Sequence, residues 1–329
     1  MKKNFIIGID VSKSKLDVHC HGQLKQLMVS NDTTGYKKLL KWIKKEVTKE
    51  LVTVMVVMEY TGIYTYNLEK FLFNNQVDYV RRPALDIMRS AGMKRGKTDK
   101  ADARMISQYG WYRKEELTAM KPVSHNHQKL QQLMSHRDKL VGDKASYVVR
   151  IKELKEQLAA DLNKKVFEST EYVVGVLEIE IKAMNKMIEE LVKTDDSFEN
   201  NYRLLRSVTG IGFVTAVHMI ITTENFTRFK ETRKFACYCG VAPFEHQSGS
   251  SIRGKTRVSH LANKKLKSLF TTAAFAAIQH DAELKAKYEQ KLKEGKSKMC
   301  ALNVIRFKLI ERIFAVIKRQ SPYILSQAA

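Results

Sequence analysis

The chain has 329 residues, 44% of them hydrophobic and 28% charged, with a formal net charge of +23. That length suits about two domains with cores of their own, and the apolar content excludes a disordered chain. No apolar run is long enough to cross a bilayer, and Asp10 and Ser12 follow the opening MKKNFIIGID too soon for a signal peptide, so the expectation is a cytoplasmic, nucleoid-associated protein with a polyanionic partner and no membrane.

In chain order, Phe5 to Asp10 is a short apolar run ending in an acid, and Lys15 to Cys20 alternates polar and apolar. After an Asn31-Asp32 turn, Leu39, Leu40, Trp42, Ile43 and Val47 are spaced for a helix. Val52 to Met58 is a nearly unbroken run rich in β-branched residues, the mark of a strand buried on both faces, and it too ends in an acid, Glu59. A helix from about Tyr64 to Asn74, a strand near Val77 to Val80, and helices near Leu85 to Ala91 and Asp99 to Tyr109 complete an alternation that predicts an α/β layer structure.

From about His125 to Lys193 there is no proline. Leu177, Ile181, Met184, Ile188 and Leu191 follow the four-and-three steps of a coiled-coil seam, and Ile151, Leu154, Leu158 and Leu162 form a second stripe. With a break expected near Phe167 to Thr170, the reading is two long antiparallel helices. They serve either as a dimerisation arm, which the length of the stripes favours, or as a hairpin packed on its own chain. Domain boundaries are set at 1–122, 123–197 and 198–329.

The last third reads as mostly helical. Gly210-Ile211-Gly212 between two apolar stretches has the look of a helix-hairpin-helix, whose glycines permit a tight turn and whose amides can meet a phosphate. A serine-rich segment, EHQSGSSIRGKT, reads as a flexible loop. From His246 to Asp281 the run is free of acids until that last residue, while Arg253, Lys255, Arg257, Lys264, Lys265 and Lys267 fall inside it, a pattern suited to a phosphate backbone. Four cysteines, Cys20, Cys237, Cys239 and Cys300, are too scattered for a disulfide framework. Cys237-x-Cys239 lacks a second zinc-spaced pair and reads as apolar filling, and His19-Cys20-His21 on a strand points its neighbours to opposite faces.

Chemistry concentrates in the acids. Asp10 and Glu59 end the expected core strands, where open α/β sheets form their sites. Asp99 and Asp102 stand three apart, on one helix face, with Lys97, Lys100 and Arg104 around them to offset carboxylate repulsion and to lie near phosphate. Four converging carboxylates need cations, and hard oxygen ligands point to Mg²⁺ or Mn²⁺. Two such ions roughly 4 Å apart would clamp a phosphodiester.

GIDVSK around Asp10, MEYTGIY around Glu59, and RRPALDIMRSAGMKRGKTDKADA, which carries Asp99 and Asp102, together resemble the DEDD transposases, insertion-sequence recombinases of the IS-one-ten type that are similar to the Piv type of DNA invertase. SVTGIG and FACYCGVAPFEHQSG extend the resemblance over nearly the full length. Thr209 stands where a proline is common, and cysteines occupy small-residue positions at 237 and 239.

The resemblance implies a RuvC-like catalytic domain on the RNase H fold, with Asp10, Glu59, Asp99 and Asp102 as metal ligands. It also implies a nucleophilic serine that forms a covalent phosphoserine with DNA. Ser248 matches that position, with Ser250 and Ser251 close by and His246 the nearest helper in sequence. A serine hydroxyl is a weak nucleophile without a base or metal to activate it. The serine and the acids are far apart in sequence, so they must meet by packing within one chain or between protomers of a dimer or tetramer. Relatives of this type are guided by a structured non-coding RNA that pairs with donor and target DNA, which accords with high basicity and no base-reading module. The competing readings are a site-specific invertase, a RuvC-like structure-selective nuclease lacking the serine chemistry, and a non-catalytic nucleic-acid-binding scaffold.

Overall fold

A computed structural model of the chain describes residues 3–90, 99–157, 160–248, 252–258 and 262–324; at 99–100, 160–163, 245–248 and 252–257 the description is of backbone alone. It divides into two units, Met1–Pro122 and Val123–Ala329.

The first unit is built on a five-stranded mixed sheet of order β3-β2-β1-β4-β5. Strands β1 (Phe5–Val11), β2 (Lys15–Cys20) and β3 (Gln26–Ser30) form an antiparallel meander, and β4 (Val54–Glu59) and β5 (Asp78–Arg82) join β1 in parallel. Three antiparallel strands continued by two parallel ones make the RNase H-like arrangement that the motifs imply. The order follows from the connections: short turns close the meander, while helices α1 (Thr33–Trp42) and α2 (Tyr66–Asn74) carry the chain into the parallel strands. Asp32 caps α1, its carboxylate accepting the Gly35 N–H at 2.8 Å, a contact worth about 1 kcal/mol.

Both faces of the sheet are covered, so β4 reads as an unbroken apolar run. On one face Ile7, Ile9, Val54, Val56, Met58 and Tyr79 pack against Tyr36, Leu39, Leu68 and Leu72 of α1 and α2. On the other, Ile6, Met55, Val57 and Val80 pack against Ile87 of α3 (Ala84–Ser90) and against Ile106 and Tyr109 of α4 (Asp99–Tyr112). Each such fully buried side chain contributes roughly 1.5–3 kcal/mol. The strand expected from Val52 begins at Val54, because Leu51–Thr53 is a 3₁₀ turn.

The second unit opens with α5 (His125–Gln157) and α6 (Ala160–Thr194), which pack side by side and antiparallel, pinned by Lys155–Glu171 and Lys144–Glu178 pairs at 2.7 Å and by Arg137 Nε donating to Asn185 Oδ1 at 3.1 Å. The break expected near Phe167 to Thr170 is misplaced: those residues lie inside α6, with Phe167 buried, and polar residues there continue the helix because nothing in them breaks it. Leu158 and the side chain of Leu162, members of the expected second stripe, lie outside the described residues. Ile188 and Leu191 of the seam are buried, while Leu177, Ile181 and Met184 are half-buried.

At its root the hairpin shares a core with the rest of the unit: Leu130, Met134, Ile188 and Val192 pack with residues of α7 (Asp196–Ser207), α8 (Phe213–Thr222), α9 (Thr232–Tyr238), α10 (Lys264–His280), α11 (Ala282–Lys293) and α12 (Lys298–Arg319). Among these helices, the described residues of the serine-rich segment are strand and not loop. They belong to an antiparallel ribbon, β6 (Pro243–Ser248) with β7 (Ile252–Val258). Alternating residues hidden within a basic, glycine-containing sequence gave no clear two-residue hydrophobic period to announce it.

Candidate active site

Strands β1 and β4 run in parallel with Ile9 opposite Met58 as their last recorded pair. The next residues are Asp10 and Glu59, so one register sets the two carboxylates side by side at the carboxyl ends of adjacent central strands. Residues two apart on a strand share a face. Asp10 therefore projects on the face of Gly8 and Ile6, and Glu59 on that of Val57 and Met55.

That face is where α4 lies. A Cβ built on Gly8 would stand 2.3 Å from the Ser107 nitrogen and 2.4 Å from the Ala103 carbonyl oxygen, and one on Gly110 would stand 2.6 Å from a Val57 methyl and 2.7 Å from an Ile6 methyl. Ser107 over Gly8 and Gly110 over Ile6 mean that α4 runs opposite to β1, with its amino-terminal turn at the end of the strand that carries Asp10. Asp102, half-buried, is one residue from Ala103 in that turn. Asp99 opens the helix a turn earlier; its side chain lies outside the described residues. The structure thus brings Asp10, Glu59 and the start of α4 to one end of one sheet face.

Two further groups stand there: Asp17, which sequence reasoning passed over, and His19, which it set aside. Asp17 is paired across β1/β2 with Asp10, is 5% exposed, and has Lys15 Nζ 3.2 Å from Oδ2. Like charges directly opposite on a sheet repel, so a nearby ammonium is what the pair needs; the short connection between Val11 and Lys15 was the available signal. His19 is opposite Gly8 and buried. Burial, and then the Arg104 guanidinium, hold its pKa below the usual histidine value; as a neutral ring it donates Nε2–H to the Gln23 carbonyl at 3.1 Å and accepts the Ser107 hydroxyl at Nδ1, 2.7 Å away. His21, on the same face, stacks on Trp111 with centroids 4.9 Å apart. The histidines of His19-Cys20-His21 serve to seat α4, while Cys20 is buried, its thiol pushed up to about 11.

Behind Glu59 the chain is held firmly. Tyr60 N–H donates to the Arg82 carbonyl at 3.0 Å, and the Arg81 guanidinium lies over the Tyr60 ring. Arg81 is itself near the buried Glu69, which accepts hydroxyls from Thr65 at 2.5 Å and Tyr79 at 3.3 Å.

The donor set suits a hard divalent cation, being carboxylate oxygens at a sheet end. Among the described residues, no three Asp, Glu, His or Cys side chains are drawn together closely enough to hold an ion. Of the flanking cations, Arg104 is exposed, and Lys97 and the Lys100 side chain lie outside the described residues.

In the second unit Ser248 is the last residue of β6, opposite Ile252, and Gln247 is opposite Arg253. Arg253, Lys255 and Arg257 occupy alternate positions of β7 rather than a loop. The side chains of these residues, and Ser250 and Ser251 entirely, lie outside the described residues. Lys264 and Lys265 stand exposed in the first turn of α10 and Lys267 is half-buried. Lys265 is engaged with Asp138 Oδ2 at 3.0 Å, an oxygen it shares with His218 Nε2. Cys239 is buried as apolar filling, with Cys237 packed beside it. Gly210 and Gly212 form the turn between α7 and α8. A Cβ on Gly210 would meet the Ala273 carbonyl oxygen of α10 at 2.4 Å, and its φ is +89°, so helix packing by itself accounts for the glycine. Gly212 is exposed at the start of α8, which has no side-chain cap.

Comparison with known proteins bears on both units. Residues 7–159 match the family model of DEDD-type IS110 transposases, and residues 202–289 match that of the transposase IS116/IS110/IS902 family. The chain is 26% identical over 328 residues to the pilin gene-inverting protein of Moraxella bovis, covering 98% of each. It is 21% identical to the transposase for insertion sequence element IS1111A of Coxiella burnetii, covering 70% of this chain and 69% of that one. A solved T. thermophilus RuvC in complex with Holliday junction substrate aligns with 36% of this chain at a TM-score of 0.27 and 12% identity, too weak a likeness to add to the sheet order. With two models of one family matched in sequence order and relatives aligned from end to end, the chain belongs to the IS110 family of transposases.

Proposed function

We propose that this enzyme recombines DNA by a metal-dependent cleavage and rejoining reaction in which Ser248 is the nucleophile and Asp10, Glu59, Asp99 and Asp102 are the metal ligands. The observation that carries the reading is the shared register of β1 and β4, with Asp10 and Glu59 next to one another and the Asp102 turn of α4 at the same strand end. Divalent ions held by these oxygens would supply positive charge to the scissile phosphate when bound.

The serine hydroxyl attacks phosphorus, giving up its proton to a base as the Oγ–P bond forms. The P–O bond to one strand end breaks, and that end leaves as a hydroxyl after taking a proton. Attack by a hydroxyl of a different strand on the phosphoserine reverses these bond changes and rejoins the DNA. No net hydrolysis occurs, so no external energy source is needed. Arg253, Lys255, Arg257, Lys264 and the turn at Gly210–Gly212 are proposed backbone contacts. A net charge of +23 without a base-reading module supports guidance by a non-coding RNA, and the long α5–α6 hairpin supports assembly as a homodimer or tetramer. The end-to-end alignment with a pilin gene-inverting protein favours a second reading with the same chemistry, site-specific inversion; the DNA flanking the gene distinguishes the two.

The test uses purified full-length protein, Mg²⁺ and labelled DNA carrying the element ends, with adducts resolved under denaturing conditions. Wild type forms a protein–DNA adduct, whereas Ser248→Ala and Asp10→Ala form none. Adducts and recombination persisting in Ser248→Ala would exclude that serine. A discrete RNA that co-purifies, and recombination that stops when it is digested, test the guide.

A further inference from the structure

The most anomalous charge in the second unit is Arg306, on α12. It is 3% exposed, and cations are almost never so buried unless paired. Two other enclosed arginines among the described residues are paired: Arg312 reaches Asp281 and Glu283, the latter at 2.7 Å, and Arg81 lies 3.6 Å from Glu69. At Arg306 that rule fails. Nη1 donates to Asn303 Oδ1 at 3.2 Å, Nε has no hydrogen-bond partner, and among the described residues no carboxylate pairs with it. Burial holds its pKa below the usual guanidinium value with no acid to oppose it.

A second cation compounds the cost. Lys267 of α10 is half-buried, and its pKa is lowered first by burial and then by the Arg306 guanidinium. Taking an ion out of water is costly even after relaxation, and two neighbouring cations add repulsion. Asn303 holds the arrangement in place, since its Nδ2 donates to the Val241 carbonyl at 2.6 Å. Val241 is two residues before β6, so the paired cations sit beside the root of the ribbon that carries Ser248.

We propose that Arg306 and Lys267 form a phosphate site, with Asn303 orienting the guanidinium, and that its occupant is a backbone phosphate of the bound DNA. The inference rests on the reading of this chain as a DNA recombinase and goes beyond it by assigning a strand contact outside the exposed basic run. A guanidinium is matched to phosphate oxygens; with Nε enclosed and Nη1 held by Asn303, the Nη2 end of the group is the one left to meet the anion. The ammonium of Lys267 adds charge to the same anion. The site needs no sequence information, since it grips backbone and fixes the strand relative to the ribbon.

The experiment measures binding without catalysis. Full-length wild type, R306M and K267M are titrated against a fluorescein-labelled DNA duplex over a range of salt, and their melting is followed with and without inorganic phosphate. For R306M the expected result is about a tenfold loss of affinity with the salt slope reduced by about one. Phosphate should raise the melting temperature of wild type and not of R306M, and R306M without phosphate should melt no lower than wild type, because it removes an uncompensated buried charge. K267M should show the same changes in smaller degree and keeps the test open if R306M fails to fold. DNA affinity and salt slope unchanged in both variants would overturn the proposal, as would a lowered melting temperature in R306M with DNA binding intact. Phosphate protection lost but DNA binding unaffected would reduce the site to a free-anion site and overturn its assignment to the strand. If the wild type binds no DNA at all, the recombinase reading falls; if it binds and these variants do not differ from it, only the phosphate site falls.

Discussion

Gly8 and Ser107 are in backbone contact: a methyl group on Gly8 would stand 2.3 Å from the Ser107 nitrogen. The seat of α4 on β1, and hence the position of Asp102 relative to Asp10, depends on that missing side chain. Gly8→Ala should force the helix away and destabilise the first unit by about 1–3 kcal/mol, the usual cost of overpacking. DNA cleavage should fall further than folding does. Gly142→Ala is the control. It lies in α5 with open space around it, and should stabilise by roughly 0.5–1 kcal/mol. Urea unfolding of both variants, followed by cleavage assays under folding conditions, checks the pair.

Replacing the carboxylates should separate activity from stability. Asp10→Asn, Glu59→Gln and Asp102→Asn each remove a charge from one end of one sheet face while keeping the side-chain shape. Each should cut adduct formation by more than about 100-fold, since even the outer partners of metal ligands cost about 10–100-fold. Circular dichroism should be unchanged. Chelation of divalent cations should silence the wild type to the same extent, and added Mg²⁺ should raise the melting temperature of wild type but not of Asp10→Asn. A variant with full activity would remove that residue from the ligand set.

The first unit was largely legible because its strands are buried on both faces and each carries its own signal: β-branched runs, an acid at the strand end, a helix between. Edge strand β3 went unread, since only Val29 of its five residues is buried and little pattern is left for an edge to show. Asp17 was missed because its importance comes from the cross-strand pairing with Asp10, which no local pattern states. In the second unit the long helices were readable from their period, but Phe167 to Thr170 lie inside α6 and not at a break, because helix-forming polar residues span the expected position. The ribbon carrying Ser248 was hidden by composition: glycine, serine and arginine argue for a loop, and pairing across the ribbon overrides them. Arg306 had no signal at all, for one arginine in an amphipathic helix reads as a surface residue until the packing buries it.

Gly210 offers a test of what the α7–α8 turn is for. Its φ of +89° and the Ala273 carbonyl oxygen 2.4 Å from a would-be Cβ both exclude a side chain. Gly210→Ala should cost about 1–2 kcal/mol from the backbone alone and more from the clash with α10. If the turn also grips phosphate, Gly212→Ala, which meets only the Arg206 side chain at 3.7 Å, should leave stability near wild type and weaken DNA binding. Stability lost at Gly210 with DNA binding intact in Gly212→Ala would make the turn purely a packing device.

The last expectation concerns acid. Asp138, on the α5–α6 hairpin, accepts from His218 Nε2 and Lys265 Nζ through one oxygen, each at 3.0 Å, and has Arg137 Nη1 3.2 Å from the other. Burial alone would raise its pKa, but hydrogen bonds from His218 and Lys265 outweigh that and bring it down to about 2. A carboxyl whose folded pKa lies below its ordinary value of 3.8 stabilises the fold fully above that ordinary value. The contribution is lost as pH falls through the folded pKa. The shift corresponds to stability on the order of 2 kcal/mol at neutral pH, holding the root of the hairpin to α8 and α10. Asp138→Asn should therefore unfold at lower urea than wild type at pH 6, with the gap narrowing from about pH 4 downward and closing near pH 2. A gap that stays constant over that range would mean the carboxylate stabilises by packing and not by charge.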